Sequence, residues 1–406
     1  MKTVTRSFIL LVFLTSACAP AITQTPTQTP AMENVVEDPL PTSTQEPMPT
    51  STNDIRESPP RGAESEFSTD FTKHSIPYSD VLSGGPPKDG IPAIDDPKYV
   101  SISEADKWLR PIEPVVSVEV NGQGRAYPIQ VLMWHEIVND NLNGEPLTIT
   151  FCPLCNTAIG FKRMVDGQVL DFGTTGRLRF SNLIMYDRQT ETWWQQATGE
   201  AIVGELLGTK LEFYPAAIVS WESFKSQYPE GDVLSTDTGH GRNYGRNPYF
   251  GYDDVNSVPF LYKGAPTPDQ LAAVDRVLTI DLNGEAVAYP YKVLKEVHVV
   301  NDTVGDEEIV VFWQAGVASA LDTSQVATGR DVGTGAAFSR NVDGQVLTFT
   351  YDGTLIKDEE TNSTWNIFGE AIDGKLKGTQ LSPTVAINHF WFSWAAFKPE
   401  TRIYQP

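Results

Sequence analysis

The feature that most constrains this chain is an internal echo. VEVNGQGRAYPIQVLMWHEIVND, from Val118, returns as IDLNGEAVAYPYKVLKEVHVVND, from Ile280. Asn121-Gly122 then matches Asn283-Gly284, and Tyr127-Pro128 matches Tyr289-Pro290. DGQVL recurs at Asp166 and Asp343, and GEAIVGELLGTKL from Gly199 recurs as GEAIDGKLKGTQL from Gly369. Trp194 falls opposite Trp365, and Ser220-Trp221 opposite Ser393-Trp394. Self-similarity of several segments in the same order is the mark of one supersecondary unit used twice. The expected architecture is two tandem copies of one module packed face to face, over 71–236 and 276–406. A segment rich in Gly, Pro, Asn and Tyr, 237–275, forms the seam.

Each module reads as α+β, mainly antiparallel β with short helices. Val115–Val120, the Asn121-Gly122 turn and Arg125–Tyr127 give a hairpin, because Asn-Gly tolerates the left-handed turn conformations. Pro128 opens IQVLMWHEIVND, whose Val131, Leu132, His135 and Val138 recur at helical spacing. Further hairpins are expected around Asp166-Gly167 and around 204–208. A short helix is expected over Trp221–Gln227, before Pro229.

The chain ahead of the modules is of another kind. Lys2 and Arg6, a brief apolar run from Phe8 to Leu14, and Thr15-Ser16-Ala17-Cys18 read as a signal peptide, 1–18. The small residues ending in Cys18 resemble the lipobox of bacterial lipoproteins, which implies lipid attachment at Cys18, export and a membrane anchor on the extracytoplasmic side. Residues 19–70, dominated by Pro, Thr, Ser, Gln and Glu, read as a disordered tether. A net charge of −22 over 406 residues argues against nucleic acid as a partner. No motif for a nucleotide cofactor is present, and a monomer is expected.

From Gly84 the chain reads GGPPKDGIPAIDDPKYV, then the Val118 segment, FCPLCNTAIGFKR and GRLRFSNLIMYDRQTETWWQQATGEAIVG. This string resembles the DUF3179 family, a bacterial domain of unknown function, often exported. The resemblance is specific from Gly84 to Tyr252 and looser to the C-terminus. It implies boundaries and no activity. Asn156 stands where the family more often has glycine.

Chemistry concentrates in LTITFCPLCNTAIGF, residues 147–161, where a β-branched run delivers Cys152 and Cys155 into a C-P-x-C turn. Two sulfurs at that spacing hold one metal ion or close a disulfide. A redox pair of this spacing usually opens a helix, whereas Thr157–Phe161 reads as strand. His135 precedes them on the helical stretch, and Met185 lies in an apolar strand. Two thiolates, an imidazole and a thioether are soft donors that suit copper better than zinc. The expected metal set is therefore His135, Cys152, Cys155 and Met185, with His240 as an alternative donor. A thiol–disulfide couple and a structural disulfide beside a ligand site are the competing readings. Arg177, Arg179, Ser181, Tyr244 and Asn247 are candidates for binding a small anionic ligand, with Tyr249 at its mouth. The echo strengthens the functional readings. It sets Val297 opposite His135, Trp313 opposite Cys152, Gly316 opposite Cys155 and Ile356 opposite Met185, so the module folds without these donors.

Overall fold

The hairpin that opens the fold forms where its turn chemistry allows. Strands Pro114–Val120 and Gln123–Pro128 pair in register from Val115–Pro128 to Val120–Gln123. Asn121 and Gly122 hold φ of 51° and 80°, the left-handed pair that closes a twisted two-residue turn. Pro128 then leads into the helix Ile129–His135. The helix stops after seven residues because Glu136 turns left-handed, φ 58°, while its N–H still bonds Leu132 at 2.6 Å. Helical periodicity overran this point. Ile137–Leu142 is a strand, as its β-branched start favours. It opens a meander with Glu145–Cys152 and Thr157–Lys162.

The computed structural model describes residues 57–406. The signal peptide, Cys18 and tether residues 19–56 lie outside the described residues. The tether's expected end at residue 70 falls too late. Ala63 and Phe67 are buried with Trp193 and Tyr186, so apolar contact already fixes the chain there. Arg177 adds an ion pair to Glu66 at 3.1 Å.

The fold is mainly antiparallel β with a few short helices. Three larger sheets and the two-stranded hairpin Met164–Val165 with Gln168–Val169 make up its first half. One is the meander, extended by Phe213–Tyr214. A second runs Val81–Ser83, Phe172–Arg179, Asn182–Asp187, Trp193–Gln195 and Glu200–Val203. The third carries the opening hairpin between Ala217–Ser220 and Asp232–Leu234, the latter parallel to its neighbour. The expected helix Trp221–Gln227 is present, capped by the Ser220 side chain.

The same order of elements follows from residue 276. Arg276–Leu282 and Glu285–Pro290 form a hairpin, Tyr291–Val297 is helical, and Val299–Val304, Glu307–Gln314 and Thr334–Ser339 form a meander. Buried hydrogen bonds repeat with the elements. Tyr127 bonds Asp140 and Tyr289 bonds Asp302. Asn139 bridges to the backbone of Phe172, and Asn301 to that of Phe349. The indole of Trp194 donates to Asp187, and that of Trp365 to Asp358, both at 2.9 Å.

These bonds fix which residues correspond, and they correct the string matching at three places. Phe151 N–H bonds Glu136 O and Trp313 N–H bonds His298 O, so Gln314, and not Trp313, stands in the place of Cys152. Cys152 pairs with Thr157 and Gln314 with Thr334. The four-residue knuckle 153–156 is therefore replaced by the long stretch 315–333, and Gly316 has no counterpart relation to Cys155. Trp221 N–H bonds Glu113 O and Trp391 N–H bonds Asp275 O, so Trp391 matches Trp221. Strings align by letters; the ladder aligns by which N–H meets which carbonyl.

The two halves meet reciprocally. Ile387–Phe390 lies against Thr157–Lys162, and Ala217–Ser220 lies against Thr334–Ser339. His389 Nδ1 sits 2.8 Å from Thr157 Oγ1, and Thr334 Oγ1 donates to Ile218 O. The segment 237–275 is held at the centre by Asp253, 3 % exposed, which pairs with Arg276 at 2.7 Å and with Arg330 at 3.0 Å.

Candidate functional site

Strand geometry delivers the thiols. Glu145–Cys152 runs into a single 3-10 turn, Pro153–Cys155, because Pro153 has no N–H to continue the ladder. Asn156 leaves the turn with φ 51°, and Thr157–Lys162 returns as strand. Asparagine tolerates that conformation better than most residues, and glycine better still. The expectation of strand after the pair holds, so no helix N-terminus faces these sulfurs.

Both cysteines are free of disulfide bonds and buried. Their sulfurs are 3.1 Å apart. The turn at Phe180-Ser181, both left-handed, aims a carbonyl at the pair: Ser181 O is 3.3 Å from Cys155 Sγ and 3.6 Å from Cys152 Sγ. Asn182 Nδ2 donates to Cys155 Sγ at 3.4 Å and to Gln196 Oε1 at 2.9 Å. Each thiol proton thus has an acceptor, and one sulfur has an amide donor. Burial, then the bond to Cys155 and the charge of Glu136, push the Cys152 thiol well above its ordinary value.

Glu136 is the residue that sequence reasoning passed over. Burial raises its carboxyl to about 8. Its charge is felt by Cys152 and by Tyr249. Only its place directly after His135 could have pointed to it. The residue in the matching left-handed position of the second half is His298, φ 61°, whose ring stacks on Tyr351 at 4.0 Å.

His135 belongs to a different set of contacts. Its Nδ1 faces Pro92 O and its Nε2 faces the Tyr244 hydroxyl, both at 2.7 Å. Thr238 bonds the same hydroxyl at 2.6 Å, and the His240 ring lies 5.4 Å away. Burial lowers His135 to about 4. Both ring nitrogens are therefore committed away from sulfur. Among the described residues no group of three or more His, Cys, Asp or Glu side chains is gathered as a metal site. Met185 does share one apolar core with Cys152 and Cys155. The four-donor arrangement is thus not assembled, while its three sulfurs share a core.

The expected anion-binding residues are dispersed. Arg177 is buried against Phe67 and Trp193, and Arg179 pairs with Asp80. Asn247 donates to Thr323 O at 2.9 Å. Tyr244 serves His135. Of that set only Ser181 reaches the thiols, through its carbonyl, while its hydroxyl donates to Phe260 O at 2.6 Å. That bond ties down a strap, 249–262, whose Tyr249, Tyr252 and Leu261 pack on the core holding the cysteines.

The family model for DUF3179, described as a protein of unknown function, matches residues 88–401. This chain belongs to the DUF3179 family. No curated protein and no solved structure matches it. In DUF3179 terms, the matched region takes in the knuckle, the strap and both halves of the fold.

Proposed function

We propose that this DUF3179 chain is a thiol–disulfide redox protein whose working pair is Cys152 and Cys155. The reading rests on one arrangement: two free cysteines whose sulfurs lie 3.1 Å apart, each with the Ser181 carbonyl as a hydrogen-bond acceptor. Closing the disulfide removes two S–H donors and leaves the Ser181 carbonyl without them. That favours the reduced form, and so raises the reduction potential above that of an ordinary buried disulfide. In the balanced step, one thiolate attacks a partner disulfide and expels a partner thiolate. The second cysteine then attacks the mixed disulfide. The partner leaves with two electrons and two protons, and Cys152–Cys155 is oxidised. Asn182 Nδ2–H is the donor placed to receive charge on Cys155 as it develops. The strap must lift to admit a partner, since both sulfurs are buried.

A second reading has one observation in its favour. Met185 lies in the same apolar core as both sulfurs, so capture of one soft cation, copper above zinc, by Cys152, Cys155 and Met185 suits the donor chemistry. His135 would take no part. We also read the chain as exported and lipid-anchored through Cys18, and its two halves as copies of one module, of which the second has lost the thiols.

The test is oxidation of purified protein with a disulfide reagent, followed by intact mass and thiol count. Loss of two hydrogens and both thiols, reversed by a dithiol, is expected, with the metal content unchanged. Thiols that stay reduced until the protein unfolds overturn the redox reading. Stoichiometric copper uptake, lost in Met185→Leu, would put the second reading in its place.

A further inference from the structure

A cleft of about 280 Å³ opens between the two halves, lined in part by the turn end of the opening hairpin. Its walls are largely apolar, with Ser117, Asn121, Gln380 and Thr384 among them and aromatic rings from both halves: Tyr214 and Tyr228 from the first, Phe338 and Phe368 from the second. Tyr228 and Phe368 meet edge to face, 5.6 Å between centroids and 83° between planes. One charged side chain lines the cleft, Glu119, and no lysine, arginine or histidine does. Two tyrosines converge on it. Tyr214 donates to Glu119 O at 2.9 Å, and Tyr228 to Glu119 Oε2 at 3.3 Å.

The other half shows what such a carboxylate ordinarily has. Glu119 pairs with Gly124 across one hairpin, and Asp281 pairs with Ala286 at the same distance from the matching turn. Tyr228 N–H bonds Phe224 O, and Lys398 N–H bonds Trp394 O, so Lys398 stands where Tyr228 does. Lys398 Nζ neutralises Asp281 at 2.6 Å. In the first half the cation is replaced by an aromatic ring, and Glu119 makes no ion pair among the described residues. Gly124 is what admits the ring: a Cβ there would lie 2.3 Å from Tyr228 Cγ. Ala286 stands at that position in the half that uses lysine.

We propose that this cleft binds a small organic ammonium ion, held by cation–π contact with its aromatic walls and by the Glu119 carboxylate. A positively charged head on an apolar body is what a ring-lined cleft with one carboxylate recognises. The chain's net charge of −22 favours its approach.

The test is calorimetric titration of the whole protein with tetramethylammonium, choline and benzyltrimethylammonium, and with 3,3-dimethylbutan-1-ol, the uncharged isostere of choline. At least one of the ammonium ions should bind saturably. Choline should bind roughly tenfold or more tightly than its isostere. Glu119→Gln should weaken the cation by a similar factor and leave the isostere unchanged, and Asp281→Asn should change neither. Gly124→Ala, which displaces the Tyr228 ring, should weaken binding even if Glu119→Gln alters stability. Competition by phosphatidylcholine vesicles would assign the ammonium to a lipid headgroup, and its absence to a free solute. No saturable binding of any of the three ions, or equal binding of choline and its isostere, overturns the proposal.

Discussion

Tyr127 and Tyr289, Asn139 and Asn301, and Trp194 and Trp365 make the same bonds in the two halves of this molecule. Between these fixed points the halves diverge where chemistry is at stake. The first ends its central meander strand in Cys152 and a four-residue knuckle; the second ends it in Gln314 and a long excursion. The first places Glu136 in a buried left-handed position; the second places His298 there. Indole-to-carboxylate and tyrosine-to-aspartate bonds occur in both halves, whereas among the described residues the thiol pair stands in the first alone.

The two tryptophans should give the largest effects. Trp194→Ala and Trp365→Ala should each destabilise by about 3–5 kcal/mol, since each removes a buried ring together with its bond to an aspartate. Urea unfolding would show it, and a large loss at one site with little at the other would end the equivalence. Next comes Glu136. Its folded carboxyl titrates near 8 against an ordinary 4.5, so the unfolded chain gives up its proton first as pH rises. Stability should therefore fall between those values, and Glu136→Gln should remove the fall, by on the order of 3 kcal/mol at pH 8. Denaturation curves of both proteins at pH 5 and pH 8 check it; a parallel pH dependence in the variant would contradict it.

The tyrosines give a smaller, graded effect. Tyr127 and its partner Asp140 are fully enclosed with Arg125, whereas Asp302 is also reached by exposed Arg402. Tyr127→Phe should cost about 1–3 kcal/mol and Tyr289→Phe about 1 kcal/mol or less. The reverse order in chemical denaturation would show that enclosure does not set the difference. The smallest effect belongs to Asn156. Asn156→Gly should be neutral or stabilising by about 0.5 kcal/mol, because φ of 51° suits glycine, while Asn156→Ala should cost about 1 kcal/mol.

Much of this was legible in the chain. Asn121-Gly122, Asn283-Gly284 and Asp166-Gly167 announce turns through their left-handed tolerance, and Trp221–Gln227 announces a helix before Pro229. The strand after Cys155 was equally readable. What escaped depended on tertiary contact. Nothing in MWHEIVND says that the helix halts at Glu136; that is decided when its backbone turns to meet Phe151. His135 and Cys152 look like partners because both bear soft donors. Only the fold reveals that Pro92 and Tyr244 occupy the imidazole, while a carbonyl from the turn at Ser181 faces the thiols. The cleft at Glu119 was silent for the same reason, since its walls come from residues more than a hundred positions apart.

The reduction potential of Cys152–Cys155 decides whether the pair is a working redox couple. Equilibration of the folded protein against a series of dithiol–disulfide buffers, read by thiol alkylation and mass, measures it directly. The expected result is a reversible two-electron transition above about −300 mV, with the fold intact in both states and abolished in Cys155→Ser. A midpoint below that range, or thiols that oxidise only on unfolding, would make the pair a staple of the first half and contradict the claim.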